Sequence, residues 1–163
     1  MRLWLDRPVE LVRTFDAQAM SNALTAWEWI GLEGKAPMFT SAFGNVFFRA
    51  VDGFWFLDRM AGTLTRPWET AGQLQNELDT AEGQSLYLSA GLVWAATERG
   101  LVPSETQVYD FAVPPILGGE QDPANVDVTD FTTALDMSGQ IHGQLRDVPP
   151  GTPISLAFDD PID

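Results

Sequence analysis

Apolar residues return along this chain with two different periods, and the switches between them outline its elements. From Ala17 to Ile30, the residues Met20, Ala23, Leu24, Trp27 and Ile30 recur at helical spacing. Asp16 stands where its carboxylate can accept a free amide proton of the first turn, and Gly31 marks the stop. Trp27 and Trp29 cannot share one narrow stripe of an α-helix, so one of them is expected against a different element or partly exposed. Asn45–Val51 and Phe54–Met60 form the clearest sheet signal, two aromatic-rich runs joined by Asp52-Gly53, a dipeptide that tolerates the positive φ of a tight hairpin. Ala61-Gly62 offers a second turn into Thr63-Leu64-Thr65. A three-stranded antiparallel meander follows, and Pro67 is expected to end it because proline supplies no ladder donor.

Beyond Pro67 the pattern becomes helical. Trp68–Leu78 predicts a short helix, and Gln84–Arg99 a stronger one with Leu88, Leu92 and Ala95 or Ala96 on one face and Gly100 as a left-handed cap. Val108–Val113 and Val126–Phe131 alternate as strands. Ser138–Leu145 fits either helix or strand, since Gly139 and Gly143 weaken both. Pro149-Pro150-Gly151 reads as a turn and Ile154–Phe158 as a final strand. No internal repeat is present. The expected architecture is one α+β domain over residues 1–163, with a short flexible end at 159–163. Its mainly antiparallel sheet, an N-terminal meander plus later strands, packs against three or four helices.

Composition narrows the function classes. A chain of 163 residues, 45% hydrophobic with six Trp and ten Phe, can bury one large ring-rich core. Cysteine is absent, which removes disulfides, thiol nucleophiles and thiolate metal sites and suits a cytoplasmic location. Residues Met1 to Pro8 lack the apolar run of a signal peptide, and no stretch approaches the roughly 18 apolar residues of a membrane span. Charge is lopsided. Residues 1–80 carry ten acids and seven Lys/Arg, a net of −3, whereas residues 81–163 carry thirteen acids and two Lys/Arg, a net of −11. A field of that sign repels nucleic acid and anionic lipid and speeds association with a basic protein surface; it also serves solubility alone.

The segment Val113–Val128 concentrates the candidate chemistry: a Pro-Pro entry, Gly118-Gly119, then Glu120, Asp122 and Asp127. The glycines match neither a phosphate loop nor a dinucleotide fingerprint, and the single lysine, Lys35, is remote in sequence. The acids do not follow calcium-loop spacing, and Asn125 can cap a turn with its own side chain. His142 is the sole histidine, so multi-histidine metal sites are ruled out; a general base beside Asp130, Asp136 or Asp147 is the remaining catalytic reading. Ser138 and Ser155 have no nucleophile-elbow context. Among 23 acids, carboxylate pairs carry little information. The rings of Trp4, Trp27, Trp29, Phe47, Phe48, Trp55, Trp68 and Trp94 are assigned mainly to the core. Without interleaved basic residues they make a poor nucleic-acid platform, although one or two exposed rings would suit a protein interface. No catalytic set, cofactor site or metal site is assigned.

The chain resembles a bacterial family of uncharacterised function that includes the C-terminal domain of immunity proteins neutralising type VI secretion DNase effectors. The resemblance extends over roughly residues 20–158. It rests on Ser41 to Phe48, on Asp52-Gly53 with Trp55 to Asp58, and on Gly62-Thr63-Leu64. Pro114 to Gly119, Asn125-Val126, Ser138 to Leu145 and Pro149 to Thr152 complete it. The longer immunity proteins of this kind carry an N-terminal domain that this chain is expected to lack or to retain only as a remnant. The resemblance implies a non-enzymatic cytoplasmic antidote that binds a cognate nuclease, and it transfers no named contact residues. Combined with the acidic half, it makes a cognate, basic effector the expected partner, with Glu120, Asp122, Asp127 and Asp130 as candidate contacts. The alternatives are a regulatory or scaffold interaction domain with no toxin partner and, third, a small hydrolase built on carboxylates and His142.

Overall fold

The computed structural model describes residues 10–159. In chain order its elements are β1 (Val12–Arg13), α1 (Ala17–Leu24), β2 (Ala36–Ser41), β3 (Val46–Ala50), β4 (Gly53–Asp58) and β5 (Thr63–Trp68). Then come α2 (Ala71–Leu78), α3 (Ala81–Leu88), α4 (Ala90–Glu98), β6 (Gln107–Phe111), β7 (Val126–Asp130) and α5 (Phe131–Leu145). The fold is α+β, with a multi-stranded antiparallel sheet packed against several helices. Strands β1 to β5 form a five-stranded meander in sequence order, so the expected three strands are its β3–β5 half. The later strands do not extend it. β6 and β7 make a separate antiparallel pair, tied to the first sheet by Tyr109 N–H donating to the Ala42 carbonyl at 2.9 Å.

Burial explains why both alternating positions of the central strands are apolar. Val46, Phe48 and Leu57 face Met20, Ala23, Leu24, Trp27 and Leu135, a layer built by α1 and α5. Phe47, Phe56 and Trp68 face Leu74, Leu88, Val93 and Ala96, a layer built by α2 to α4. The large sheet is therefore covered on both faces, which removes the polar side that a one-sided antiparallel sheet keeps.

Several local expectations give way to tertiary context. The 84–99 helix is two helices, broken at Ser89, which adopts a left-handed φ of +51°. The break rotates the second half so that Val93 and Ala96 reach the core, with Leu92 only half-buried, and it raises the number of α-helices among the described residues to five. Strand β5 runs through Pro67 to Trp68. It is an edge strand, and its register with β4 shifts between Phe54 and Phe56, so the missing N–H interrupts no continuous ladder. The hairpin turn sits on Val51-Asp52, with Gly53 opening β4. Ser138–Leu145 belongs to the helix α5.

Ile154–Phe158 is not a strand, because no strand among the described residues pairs with it. Carboxamides of α5 take that place: Gln144 exchanges hydrogen bonds with the backbone of Ala157, and Gln140 with that of Asp159. Asp159 is the described residue of the expected flexible end, whereas residues 160–163 and Trp4 lie outside the described range.

Trp27 and Trp29 both face α5. After Leu24 the helix tightens to 3-10 geometry over Thr25–Ile30, which brings positions two apart to about 120° from one another instead of about 160°. Trp27 donates to the Leu135 carbonyl and Trp29 to the Gly139 carbonyl, the first fully buried and the second half-buried.

Candidate functional site

The β6–β7 connection is a pinned loop. Pro115–Leu117 and Pro123–Asn125 each form a 3-10 turn, and Gly118 carries a φ of +97°. A Cβ on Gly119 would lie 1.7 Å from the Val113 carbonyl oxygen, so only glycine fits there. Asn125 does more than cap its own turn. Its Nδ2 donates to the carbonyls of Val113 and Glu120, and its Oδ1 accepts from Val113 N–H. Arg99, at the end of α4, donates to the carbonyls of Pro123 and Val126. A loop so fastened presents its side chains at little entropic cost to a partner.

The four candidate contacts are all exposed. Asp122 accepts from Ala124 N–H at 2.9 Å and caps a turn; Asp130 accepts from Thr133 N–H at 3.4 Å and caps α5. Asp127 accepts from Val128 N–H. Glu120 lies on the loop itself. Asp127 and Asp130 occupy odd and even positions of β7 and leave it on opposite faces. Asp127 also sits directly across from Asp110. That like-charge pairing is relieved by Arg59, whose Nη2 lies 3.2 Å from the Asp110 carboxylate.

Arg59 is a residue that the hydropathy pattern does not single out. It is 2% exposed. Its Nε donates to the Phe43 carbonyl at 2.6 Å and its Nη2 to the Tyr109 carbonyl at 3.1 Å, which ties the end of β4 to β6. Its own N–H donates to Asn45 Oδ1 at 2.9 Å. That bond settles the orientation of the Asn45 carboxamide, because a backbone N–H requires the oxygen.

Beside this junction lies an open groove of about 810 Å³ between α3 and the turn after β4. Phe43, Asn45 and Phe111 form its floor; Asp58, Glu82 and Leu86 stand along its sides. Gln121, between two of the candidate acids, also lines it, so the groove adjoins the pinned loop. Among the described residues, no Lys or Arg lines it. Asn45 is 6% exposed, and among the described residues its Nδ2 has no hydrogen-bond partner. Asp58 uses Oδ1 to accept from Met60 and Ala61 N–H.

His142 is buried inside α5's packing face. Nε2 lies 3.1 Å from the Met60 carbonyl, which can only accept, so Nε2 carries the proton. Gly62 packs on the ring so closely that a Cβ would meet Nδ1 at 2.4 Å, and Trp27 flanks it at 5.8 Å. Burial lowers its pKa, opposed mainly by the Met60 hydrogen bond. None of Asp130, Asp136 and Asp147 bonds to it; Asp136 instead accepts from Gln140 at 2.7 Å. An imidazole held this way positions the β4–β5 turn. The described residues contain no cluster of three or more His, Asp or Glu able to hold a metal ion, and no helix long and apolar enough to cross a membrane. Among the aromatic residues, Trp29, Trp55 and Trp94 are half-buried and Trp27, Phe47, Phe48 and Trp68 are buried.

What these features define is an α+β chain with an acidic, pinned loop beside an open groove. Residues 69–142 match the family described as T6SS immunity protein Tdi1, C-terminal. That description is of an immunity-protein family. The matched stretch runs from α2 into α5 and contains the pinned loop and β7; the hairpin motifs at 41–64 lie outside it. No curated protein sequence matches the chain. Among solved structures, the crystal structure of Atu4351 from Agrobacterium tumefaciens is similar, with a TM-score of 0.51 at 16% identity. The similarity covers 80% of this chain and 66% of that one, so this chain spans a little under two thirds of its length; at that identity the likeness is one of fold.

Proposed function

We propose that this protein is a non-enzymatic immunity protein that binds a cognate basic effector in the cytoplasm and neutralises it through an acidic surface. A DNase is the leading effector class. The observation that carries the reading is the match of residues 69–142 to an immunity-protein family. The net of −11 over residues 81–163 supports it, since a nuclease draws in DNA with positive potential and an acidic inhibitor complements that potential. Glu120, Asp122, Asp127 and Asp130 are proposed as contributors to that field.

An immunity gene normally lies beside its effector gene, so co-expression with the protein encoded by the neighbouring gene tests the function directly, with survival of the host and recovery of a complex as readouts. The charge hypothesis needs variants that keep the caps. Glu120→Gln with Asp122→Asn, Asp127→Asn and Asp130→Asn retains every capping oxygen while removing four charges. The expected outcome is an association rate about tenfold lower at low salt, with the difference shrinking as ionic strength rises. An unchanged rate at low salt rejects these four residues as the steering patch. Failure of the wild-type chain to protect or to bind rejects the immunity reading.

A further inference from the structure

We infer that the groove between α3 and the turn after β4 is the docking site for the effector, and that it receives an extended basic segment. The inference rests on the immunity reading above and goes beyond it by naming the surface and the chemistry of the segment that fills it. Three features of the groove converge. Asp58 and Glu82 stand on its sides and no Lys or Arg lines it among the described residues, so the charged side chains that a cation meets there are negative. Its floor holds a carboxamide donor, Asn45 Nδ2, on a residue only 6% exposed; the donor opens to the groove and lacks a protein partner among the described residues. In an open groove such a donor is met by solvent, and a ligand carbonyl can take the solvent's place. Its rim carries Leu86, 71% exposed and two positions from the buried Leu88, an apolar anchor facing away from the core.

An extended polypeptide strand meets all three. A backbone carbonyl accepts from Asn45 Nδ2, a Lys or Arg side chain lies between Asp58 and Glu82, and its aliphatic stem rests on Leu86. A nucleic acid is excluded by the same carboxylates, and a purely apolar ligand would leave them desolvated and unpaired. The pinned loop extends the site through Gln121, so the flanking Glu120 and Asp122 steer while the groove holds. The arrangement divides the work between rim charges that raise the association rate and a central pocket that slows dissociation.

The test uses the purified protein encoded by the neighbouring gene as probe and measures its dissociation constant for four purified full-length chains, wild type and three variants. Asn45→Asp keeps the oxygen that Arg59 N–H needs and replaces the free donor with an acceptor. Glu82→Lys with Leu86→Ser alters only exposed positions and leaves folding intact. The four-charge variant described above is the comparison. The expected result is a loss of about thirtyfold or more in affinity for Glu82→Lys/Leu86→Ser, carried by faster dissociation, and about tenfold for Asn45→Asp. The four-charge variant is expected to slow association without that change in dissociation. Thermal melts equal to wild type for the Glu82/Leu86 pair tie the loss to the surface. Wild-type binding with both groove variants unchanged overturns the groove and leaves the immunity reading standing; no binding by the wild-type chain overturns both.

Discussion

Asp136 and His142 sit on one helix, are both buried, and pull the pH dependence of stability in opposite directions. Burial raises the Asp136 carboxyl above its usual range; the Gln140 hydrogen bond opposes this and Asp159 adds to it. The folded chain therefore keeps that proton to higher pH than the unfolded chain does. Its contribution to stability falls as pH rises through the window between the usual and the raised value. For His142, burial lowers the pKa from 6.5, so the unfolded chain takes the proton first and stability falls as pH drops below that value. Asp136→Asn is expected to raise the melting temperature near about pH 7 and to match wild type near about pH 3. His142→Gln, which keeps a donor for the Met60 carbonyl, is expected to flatten the loss between about pH 7 and 5. Thermal melts across a pH series check both, and a gain from Asp136→Asn that is the same at low pH would rule out titration as its source. The sequence marks His142 as the lone histidine, flanked by Gly139 and Gly143, which favours a structural role. Its contacts with Met60 and Gly62 lie some 80 residues away along the chain and are invisible to spacing.

At the scale of elements, glycines separate what is set locally from what is set by packing. Gly139 lies inside α5, where helix propensity alone would favour alanine. A Cβ there would come within 2.8 Å of Ala26, because the 3-10 turn after α1 crosses α5 at this point. Gly91 lies in α4, where an added Cβ would point into open space with no neighbour within 4 Å. Gly139→Ala is expected to cost about 1–3 kcal/mol through overpacking, and Gly91→Ala to gain about 0.5–1 kcal/mol through reduced backbone freedom in the unfolded chain. Urea unfolding of the two variants reads both signs. Most helices and strands are legible from periodicity, including the hairpin and β6–β7. The break at Ser89 is not, since neither glycine nor proline stands there and only the core decides that Val93 must turn inward. The short β1 and the mixed-polarity β2 escape for a related reason. β2 pairs with β3 and β1 with β2, and that pairing confers a strand geometry their own pattern does not specify.

Across the whole molecule, Arg59 joins the two sheets by hydrogen bonds to Phe43 and Tyr109 and by its ion pair with Asp110. Arg59→Ala strands two buried carbonyls and sets Asp110 against Asp127 without relief, a loss expected to reach about 3–5 kcal/mol. Adding Asp110→Asn to that variant is expected to recover part of the loss, and a double-mutant cycle in denaturant measures the coupling. If the two changes simply add, the ion pair contributes nothing to the junction. The amino-acid sequence by itself determined the type of most elements, the α+β class, the exclusion of cysteine and phosphate-loop chemistry, and the concentration of charge in residues 81–163. Each of these depends on composition or on neighbours a few residues apart. Only the tertiary structure decided that the candidate acids divide between two faces of β7 and a loop, and that Asn45 turns an open amide into a groove. Arg59 meets Asn45 across 14 residues and Tyr109 across 50, and no local period carries such pairings.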